Sequence, residues 1–192
     1  MPYSNPVFDL TTKKIIRHIA PKTCLDIGAG AGKYGRFIRH LMPSAHSVGV
    51  EIEPDYILVY KLNEIYDEIR CIDAAKLIED SIDEQYDLAI LGDSLEHFRK
   101  SEGIDLLHFL VYRTRYILII YPERYVQNSV IGYRSEAHLS AWGKHDFVSF
   151  KHSPILEADN QRLVLIEGYL SPENSLKEMA SVIENSGFSI AK

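Results

Sequence analysis

The chain has 192 residues, of which 46% are hydrophobic and 25% charged, which indicates a folded globular domain and excludes collagen-like and low-complexity chains. Its 21 Lys and Arg and 27 Asp and Glu give a formal net charge of −6, which disfavours nucleic acid as a partner. The longest apolar run, residues 116–121, is too short for a membrane span, and residues 1–6 lack a signal-peptide pattern, so we expect a soluble, cytoplasmic protein with no membrane partner.

Two cysteines are present, Cys24 and Cys71, and each lies in an apolar, strand-like segment. Two cysteines so placed do not make a disulfide framework or a cysteine metal cluster. We therefore expect both to be reduced thiols in the core.

Helix and strand patterns alternate from the N terminus to residue 121. Apolar residues at helical spacing predict helices over residues 10–20, 34–41, 54–65 and 103–112, with Thr11 or Thr12 as the first N-cap, and a helical turn over residues 74–78. Short apolar runs predict strands over residues 23–27, 47–51, 68–72, 86–91 and 115–121. Because parallel strands need long crossovers and are apolar on both faces, this alternation predicts a parallel sheet covered by helices on both sides.

The pattern changes after Pro122. Residues 123–134 are polar and irregular, whereas apolar spacing over residues 135–148 is compatible with a helix. Residues 153–170 predict two strands joined by a turn at Asp159 and Asn160. Ser171 and Pro172 then predict the start of a last helix. Without a linker or repeat, we expect one domain over residues 1–192.

A glycine-rich segment, LDIGAGAGKYG over residues 25–35, follows the first predicted strand and opens a helix. Glycines at such a turn let the backbone approach a ligand, and the helix amides face an anionic group. The spacing Gly30-x-Gly32-x-x-Gly35 also fits the dinucleotide fingerprint. A nicotinamide-dependent oxidoreductase is therefore an alternative function.

Two carboxylates favour a different cofactor. Asp26 precedes Gly28 by two residues, at a strand end expected to face the ligand, where its charge disfavours a pyrophosphate and suits a sulfonium or ammonium group. Glu51 ends the second strand, where a carboxylate can accept both hydroxyls of a ribose. The segment therefore predicts a site for adenosine that carries a positive group.

The sequence resembles the class I S-adenosylmethionine-dependent methyltransferases over residues 10–121. The resemblance lies in LDIGAGAG at residues 25–32, VGVEI at residues 48–52, Asp73 after the third strand, and YDLAILGDSLEHF at residues 86–98. It implies an α/β three-layer sandwich with a mostly parallel seven-stranded sheet. The last two strands form a hairpin with one antiparallel strand, for which the two strands predicted after Pro122 are the candidates.

The resemblance also implies S-adenosylmethionine as the cofactor and S-adenosylhomocysteine as its product. The implied cofactor-binding residues are Asp26, Gly28, Ala29, Gly30, Gly32, Glu51, Ile52, Asp73, Ala74 and Asp93. Asp26 and the glycine-loop backbone are expected to hold the methionine part, Glu51 the ribose, and Asp73 with Ala74 the adenine. Taken singly, Glu51 and Asp73 are also compatible with solvated carboxylates at strand ends.

Methyl transfer is an in-line displacement, so alignment of acceptor and methyl group supplies much of the catalysis. Asp93 and His97 lie four residues apart and would share one face of a helical turn, where either can take a proton. A capping role for Asp93 and a solvated surface position for His97 are the alternatives. Because residues 91–94 lack the pattern for methylation of nucleic-acid bases, we expect the acceptor to be an oxygen or nitrogen of a small molecule.

Acceptor recognition is predicted in the acceptor-side part of the domain, residues 122–192, and within it in residues 123–147. The aromatic, histidine and acidic residues there are Tyr125, Tyr133, Glu136, His138, Trp142 and His145. His138, Trp142 and His145 would share one helical face, with His138 a third catalytic candidate; packing of Trp142 in the core is the alternative. No second pair of ligands accompanies His138 and His145, so we predict no metal site. A non-catalytic adenosylmethionine-binding protein is a further alternative function.

Overall fold

A sheet with helices on both faces is formed by residues 3–80, 83–123, 125–130, 132–173 and 175–191, which this computed structural model describes. The helices are α1 (Asp9–Ile19), α2 (Lys33–Leu41), α3 (Pro54–Val59), α4 (Leu77–Asp80), α5 (Lys100–Val111) and α6 (Ser175–Glu184). The strands are β1 (Thr23–Ile27), β2 (His46–Glu51), β3 (Glu68–Cys71), β4 (Tyr86–Gly92), β5 (Thr114–Pro122), β6 (Leu156–Ala158), β7 (Gln161–Glu167) and β8 (Ser189–Ile190). Short 3₁₀ turns cover Leu62–Glu64, Ala74–Lys76, Leu95–His97, Arg134–Glu136 and Lys144–Phe147.

The strand order is β3-β2-β1-β4-β5-β7-β6-β8. Strands β1 to β5 are parallel, whereas β7 runs antiparallel to both β5 and β6. Ile27 at the end of β1 pairs with Val50 on one side and Leu91 on the other, so the carboxyl ends of three strands meet where the strand order reverses. Ligands of open α/β sheets bind at such a switch point.

The mostly parallel sheet and the terminal hairpin are as predicted, but the sheet has eight strands and not seven. The additional strand, β8, pairs with β6 at the sheet edge. The hairpin turn lies at Asp159 and Asn160, both with positive φ, of 46° and 62°. Two left-handed residues match the twist of a two-residue hairpin, and Asp and Asn tolerate this conformation.

Alternation along the central strands divides the core between the two faces of the sheet. In β4, Leu88 and Ile90 pack on the side of α1 and α6, whereas Ala89 and Leu91 pack on the side of α5. All four side chains are fully buried. This two-sided burial explains why the strands read as continuous apolar runs.

Three local expectations are wrong. Thr11 and Thr12 are buried inside α1, whose N-cap is Phe8. Ser171 does not cap the last helix, because its hydroxyl donates to the carbonyl of Arg115 and α6 begins at Ser175. Cys24 is buried, but Cys71 is exposed because β3 is an edge strand of the sheet.

The predicted helix over residues 135–148 is also wrong: the segment has two 3₁₀ turns with non-helical backbone between them. Its backbone amides bond to other parts of the chain, since the N–H of His138 donates to the carbonyl of Gln127 and the N–H of Leu139 to that of Glu96. Tertiary hydrogen bonds therefore override the helical spacing. Among the described residues, no helix is long and apolar enough to cross a membrane.

Candidate active site

A cavity of about 460 Å³ opens at the carboxyl ends of β1, β2 and β4. Of the predicted site residues, those that line it are Gly28, Gly30, Glu51, Ile52, Asp73, Ala74, Asp93 and His97. Residues that were predicted from separate motifs, more than sixty positions apart in the chain, therefore share one cavity.

The glycine loop passes close to the end of β4. Gly28 has a φ of +74°, and a Cβ atom built on it would lie 2.6 Å from the Cβ of Ser94. The N–H groups of Gly28 and Ala29 both donate to the carbonyl of Val50, at 2.9 and 3.0 Å. Only glycine combines this left-handed backbone with this close approach, so the loop is held where its backbone borders the cavity.

Glu51 is fixed between the glycine loop and the start of α3. Its Oε2 atom accepts the N–H of Gly30 at 2.7 Å, and its Oε1 atom accepts the N–H of Glu53 at 2.9 Å. Burial raises the pKa of this carboxyl, while the backbone N–H groups of Glu53, Gly30 and Ile52 oppose that effect. Each oxygen accepts one bond and keeps a lone-pair site for another donor. Glu51 is thus an ordered acceptor at the cavity wall.

Asp26 does not face the cavity, contrary to the prediction. Its side chain is buried beneath the glycine loop and accepts a hydrogen bond from the hydroxyl of Tyr66. Ala29 and Gly32 also lie outside the cavity lining. Ala29 packs in a small apolar cluster under α3, and a Cβ on Gly32 would lie 2.7 Å from Ile65. Asp26, Ala29 and Gly32 therefore pack against the protein interior and do not line the cavity.

The buried Asp26 makes a testable contribution to pH-dependent stability. Burial raises its pKa from 3.8 to about 7. The folded state therefore binds the proton more tightly than the unfolded state, and this stabilisation, present below about pH 4, is lost as the pH rises to about 7. From pH 5 to 8 we expect the Asp26→Asn variant to gain on the order of 1–3 kcal/mol of unfolding free energy relative to wild type, measured by urea denaturation.

Asp67→Asn is the matched control, because the N–H of Ser47 lowers the pKa of Asp67 below its usual value. Its contribution to stability changes only in more acidic solution, so its difference from wild type should stay flat from pH 5 to 8. An equally flat difference for Asp26→Asn would show that the Asp26 pKa is not raised.

Asp73 and Ile52 lie at the outer wall of the cavity. Asp73 caps the turn after β3, since its Oδ1 accepts the N–H of Ala75 at 3.0 Å, and its side chain is exposed. Ile52 keeps 47% of its surface exposed beside Glu51. Together with the buried Ala74 they form a partly apolar wall on the side of β3.

Asp93 connects the end of β4 to the N-terminal residues. It has a φ of +53°, and its Oδ2 atom accepts the N–H of Asn5 at 3.0 Å. Lys33 at the start of α2 holds the same segment, because its Nζ donates to the carbonyl of Asn5 at 2.8 Å. Asp93 therefore does not cap the following turn, the alternative raised by the sequence. Ser4 lines the cavity, a position that no sequence pattern indicated.

Residues 134–136 line the same cavity, and we call residues 133–136 the bridging segment. Tyr133 donates its hydroxyl to Asp55 at 2.8 Å. Ser135 donates to Glu53, and Tyr56 donates to Oε1 of Glu136 at 2.7 Å. The bridging segment is thus tied to the start of α3 by three side-chain hydrogen bonds. The acceptor region over residues 123–147 stays a prediction, and no sequence pattern indicated Tyr56 at this cavity.

Loss of one of these three hydrogen bonds should make the bridging segment more mobile. Tyr56→Phe removes the hydroxyl that donates to Glu136, a hydrogen bond to a charged group worth roughly 1.5–3 kcal/mol. We expect S-adenosylhomocysteine to dissociate up to roughly tenfold faster from this variant, as measured by stopped-flow fluorescence. Tyr112→Phe, on an exposed residue in the connection after α5, should leave the rate unchanged. Equal dissociation rates in wild type, Tyr56→Phe and Tyr112→Phe would show that the hydrogen bond from Tyr56 to Glu136 does not limit the release of S-adenosylhomocysteine.

His97 and His138 lie side by side, with ring centroids 4.9 Å apart, but only His97 lines the cavity. Burial lowers the pKa of both imidazoles, so both are neutral near pH 7. The predicted common face of His138, Trp142 and His145 does not form, because the backbone there is not helical. Trp142 is buried in the core, as the alternative held, and His145 is exposed.

No family model and no curated protein matches the sequence of the chain. A candidate O-methyltransferase of Nostoc punctiforme matches 84% of this chain and 57% of its own, with a TM-score of 0.63 and 18% identity. Magnesium protoporphyrin IX methyltransferase of Synechocystis, solved with bound S-adenosylmethionine, matches 83% of this chain and 76% of its own, with a TM-score of 0.62 and 13% identity. The chain has the class I methyltransferase fold.

An O-methyltransferase family protein of Burkholderia thailandensis gives the same result, with a TM-score of 0.62, 12% identity and 88% of this chain covered. The chain spans 56% of that protein's length, and so little more than half of it, as for the Nostoc protein. The mostly parallel sheet and the terminal hairpin with antiparallel β7, which the resemblance implied, are thus present in this class I methyltransferase fold, with β8 as an addition.

Proposed function

We propose that the protein transfers a methyl group from S-adenosylmethionine to an oxygen or nitrogen of a small-molecule acceptor. The observation that carries the proposal is the position of Glu51, an ordered carboxylate that borders the glycine loop within the cavity of a methyltransferase fold. With one lone-pair site left on each oxygen, Glu51 suits two adjacent ribose hydroxyls.

The charge of the cavity supports a cationic cofactor. Among the described lining residues there are six carboxylates and one guanidinium: Glu51, Glu53, Asp73, Asp93, Glu102 and Glu136, with Arg134. This balance attracts a sulfonium and repels the pyrophosphate of a dinucleotide. The strand order also differs from the all-parallel 3-2-1-4-5-6 of dinucleotide-binding domains, because the antiparallel β7 lies next to β5. Both observations disfavour the oxidoreductase alternative.

In our proposal, different residues of the cavity bind different parts of the cofactor. The backbone at Gly28 and Gly30 borders the methionine part, Glu51 holds the ribose, and Asp73 with Ala74 borders the adenine. S-adenosylmethionine supplies a methyl group bound to a positively charged sulfur. The part of this chain is to hold the acceptor in line with that methyl group and to exclude water. The bridging segment and the N-terminal Ser4 are the candidates for this role, because both line the cavity.

Asp93 and His97 both line the cavity and are the proposed contacts of the acceptor. The Oδ1 atom of Asp93 is buried without a hydrogen-bond partner among the described residues, as is the hydroxyl of Ser94 beside it. A hydroxyl or amine on the acceptor would satisfy both atoms. His138, the third catalytic candidate, does not reach the cavity and would act only through its neighbours.

Isothermal titration calorimetry with S-adenosylhomocysteine, S-adenosylmethionine, NAD and NADP tests the cofactor class. We expect the first two to bind, and S-adenosylhomocysteine at a hundredfold excess over its Kd to stabilise the fold by about 2.7 kcal/mol. Binding of NAD or NADP without binding of S-adenosylhomocysteine would refute the proposal. Transfer of a radiolabelled methyl group in a panel of hydroxyl- and amine-bearing small molecules then separates an enzyme from a non-catalytic adenosylmethionine-binding protein.

A further inference from the structure

Three potential metal ligands converge behind the cavity wall. Glu96 and His97 lie in the 3₁₀ turn after β4, and His138 comes from the non-helical segment that follows the bridging segment. One ligand atom from each side chain lies within 4.8 Å of the other two. The Nε2 of His138 is 3.9 Å from Oε1 of Glu96. This cluster was not apparent from the sequence, where His138 was considered only with His145.

Both imidazoles are oriented by backbone carbonyls. Nδ1 of His97 lies 3.1 Å from the carbonyl oxygen of Ala137, and Nδ1 of His138 lies 2.9 Å from that of Tyr125. A carbonyl oxygen only accepts, so each Nδ1 carries the proton and each Nε2 keeps its lone pair. Metal-binding histidines are held in this way in most known sites, where the second nitrogen donates to a carbonyl or carboxylate.

Glu96 is a buried carboxyl with an unsatisfied oxygen. Its side chain is 3% exposed, and its Oε2 atom has no hydrogen-bond partner among the described residues. Burial and the charge of Asp93 raise the pKa of this carboxyl well above its usual value. A buried carboxyl without a hydrogen-bond partner is costly unless a cation or a donor satisfies it.

We propose that Glu96, His97 and His138 bind one divalent transition-metal ion. Two imidazoles and one carboxylate are a ligand set that suits Zn²⁺, Fe²⁺ or Mn²⁺ and leaves coordination positions open. Ligand atoms about 2.1 Å from a common ion lie roughly 3.4 Å apart in a tetrahedral site, so the 3.9 Å between Glu96 and His138 closes with a small side-chain rotation. Because His97 lines the cavity, an ion held by this cluster would lie next to the proposed acceptor site.

The consequence for catalysis depends on the proposed function, whereas metal binding itself does not. A divalent ion lowers the pKa of a hydroxyl group that it contacts. The acceptor hydroxyl would release its proton to the free oxygen of Asp93, and its oxygen would then attack the methyl carbon as the carbon–sulfur bond breaks, leaving the electron pair on sulfur. His97 then serves as a ligand and not as the proton acceptor. This role favours a hydroxyl-bearing acceptor over an amine.

Metal binding can be measured directly on untagged protein stripped with EDTA. Equilibrium dialysis with Zn²⁺ and Mn²⁺ should give one ion per chain, and Co²⁺ should develop visible absorption typical of nitrogen and oxygen ligands. Glu96→Gln and His138→Gln should each weaken Co²⁺ binding at least tenfold. His145→Gln, at an exposed histidine in the same region, should bind Co²⁺ like wild type.

Failure to bind near one ion per chain, or unchanged affinity in both Glu96→Gln and His138→Gln, would overturn the metal site. If those variants do not fold, the wild-type protein still decides the question. Zn²⁺ must then shift the imidazole NMR signals of His97 and His138 and leave that of His145 in place. Calorimetry with S-adenosylhomocysteine is independent of these measurements, so a failure of the cofactor proposal is distinguishable from a failure of the metal proposal.

Discussion

Glu51→Ala should weaken S-adenosylhomocysteine binding by roughly 10- to 100-fold, because charge-assisted hydrogen bonds of roughly 1.5–3 kcal/mol to the ribose are lost. The variant also removes the acceptor of the Gly30 and Glu53 N–H groups, so the loop that borders the methionine part loses its anchor. The two effects act in the same direction. Isothermal titration calorimetry measures the change in affinity.

Two further variants separate these effects. Glu51→Gln keeps one oxygen for the N–H of Gly30 and should lose less affinity than Glu51→Ala. Glu64→Ala removes an exposed carboxylate paired with Lys61 outside the cavity and should bind like wild type. An unchanged affinity of Glu51→Ala for S-adenosylhomocysteine would show that Glu51 does not bind the cofactor.

The glycine-loop side of the cavity could be predicted because its determinants are local in sequence. Gly28 and Gly30 follow β1 directly, and Glu51 ends the next strand. Parallel strands bring their carboxyl ends to one edge, so position along a strand was enough to bring these residues together. The same logic failed for Asp26, whose side chain meets Tyr66, because strand periodicity does not say which partner a buried carboxyl will find.

The acceptor side depends on contacts between distant parts of the chain. Asn5 reaches Asp93, Tyr56 reaches Glu136, and His138 reaches Glu96, each across forty or more positions. The helical spacing over residues 135–148 was misleading for the same reason. Its amides bond to Gln127 and Glu96, so packing against the rest of the fold, and not local periodicity, determines the backbone there.

Trp142 illustrates how this irregular segment is held in place. Its ring is buried against Phe147 and covers Gly103 of α5, where a Cβ atom would lie 2.7 Å from the indole. Its Nε1 donates to the carbonyl of Leu95 at 3.1 Å, in the turn that carries Glu96 and His97. The residue therefore connects residues 137–143 to the end of β4 from within the core.

Trp142→Ala should lower the free energy of unfolding by about 3–5 kcal/mol, because a large buried ring is replaced by a cavity and the carbonyl of Leu95 loses one of its two donors. Trp142→Phe keeps most of the packing and should lose only about 1–3 kcal/mol. Urea denaturation at neutral pH measures both. A loss below about 1 kcal/mol for Trp142→Ala would contradict its place in the core. If the folded Trp142→Phe protein binds S-adenosylhomocysteine like wild type but binds Co²⁺ more weakly, Trp142 positions the turn of Glu96 and His97 and takes no part in holding the cofactor.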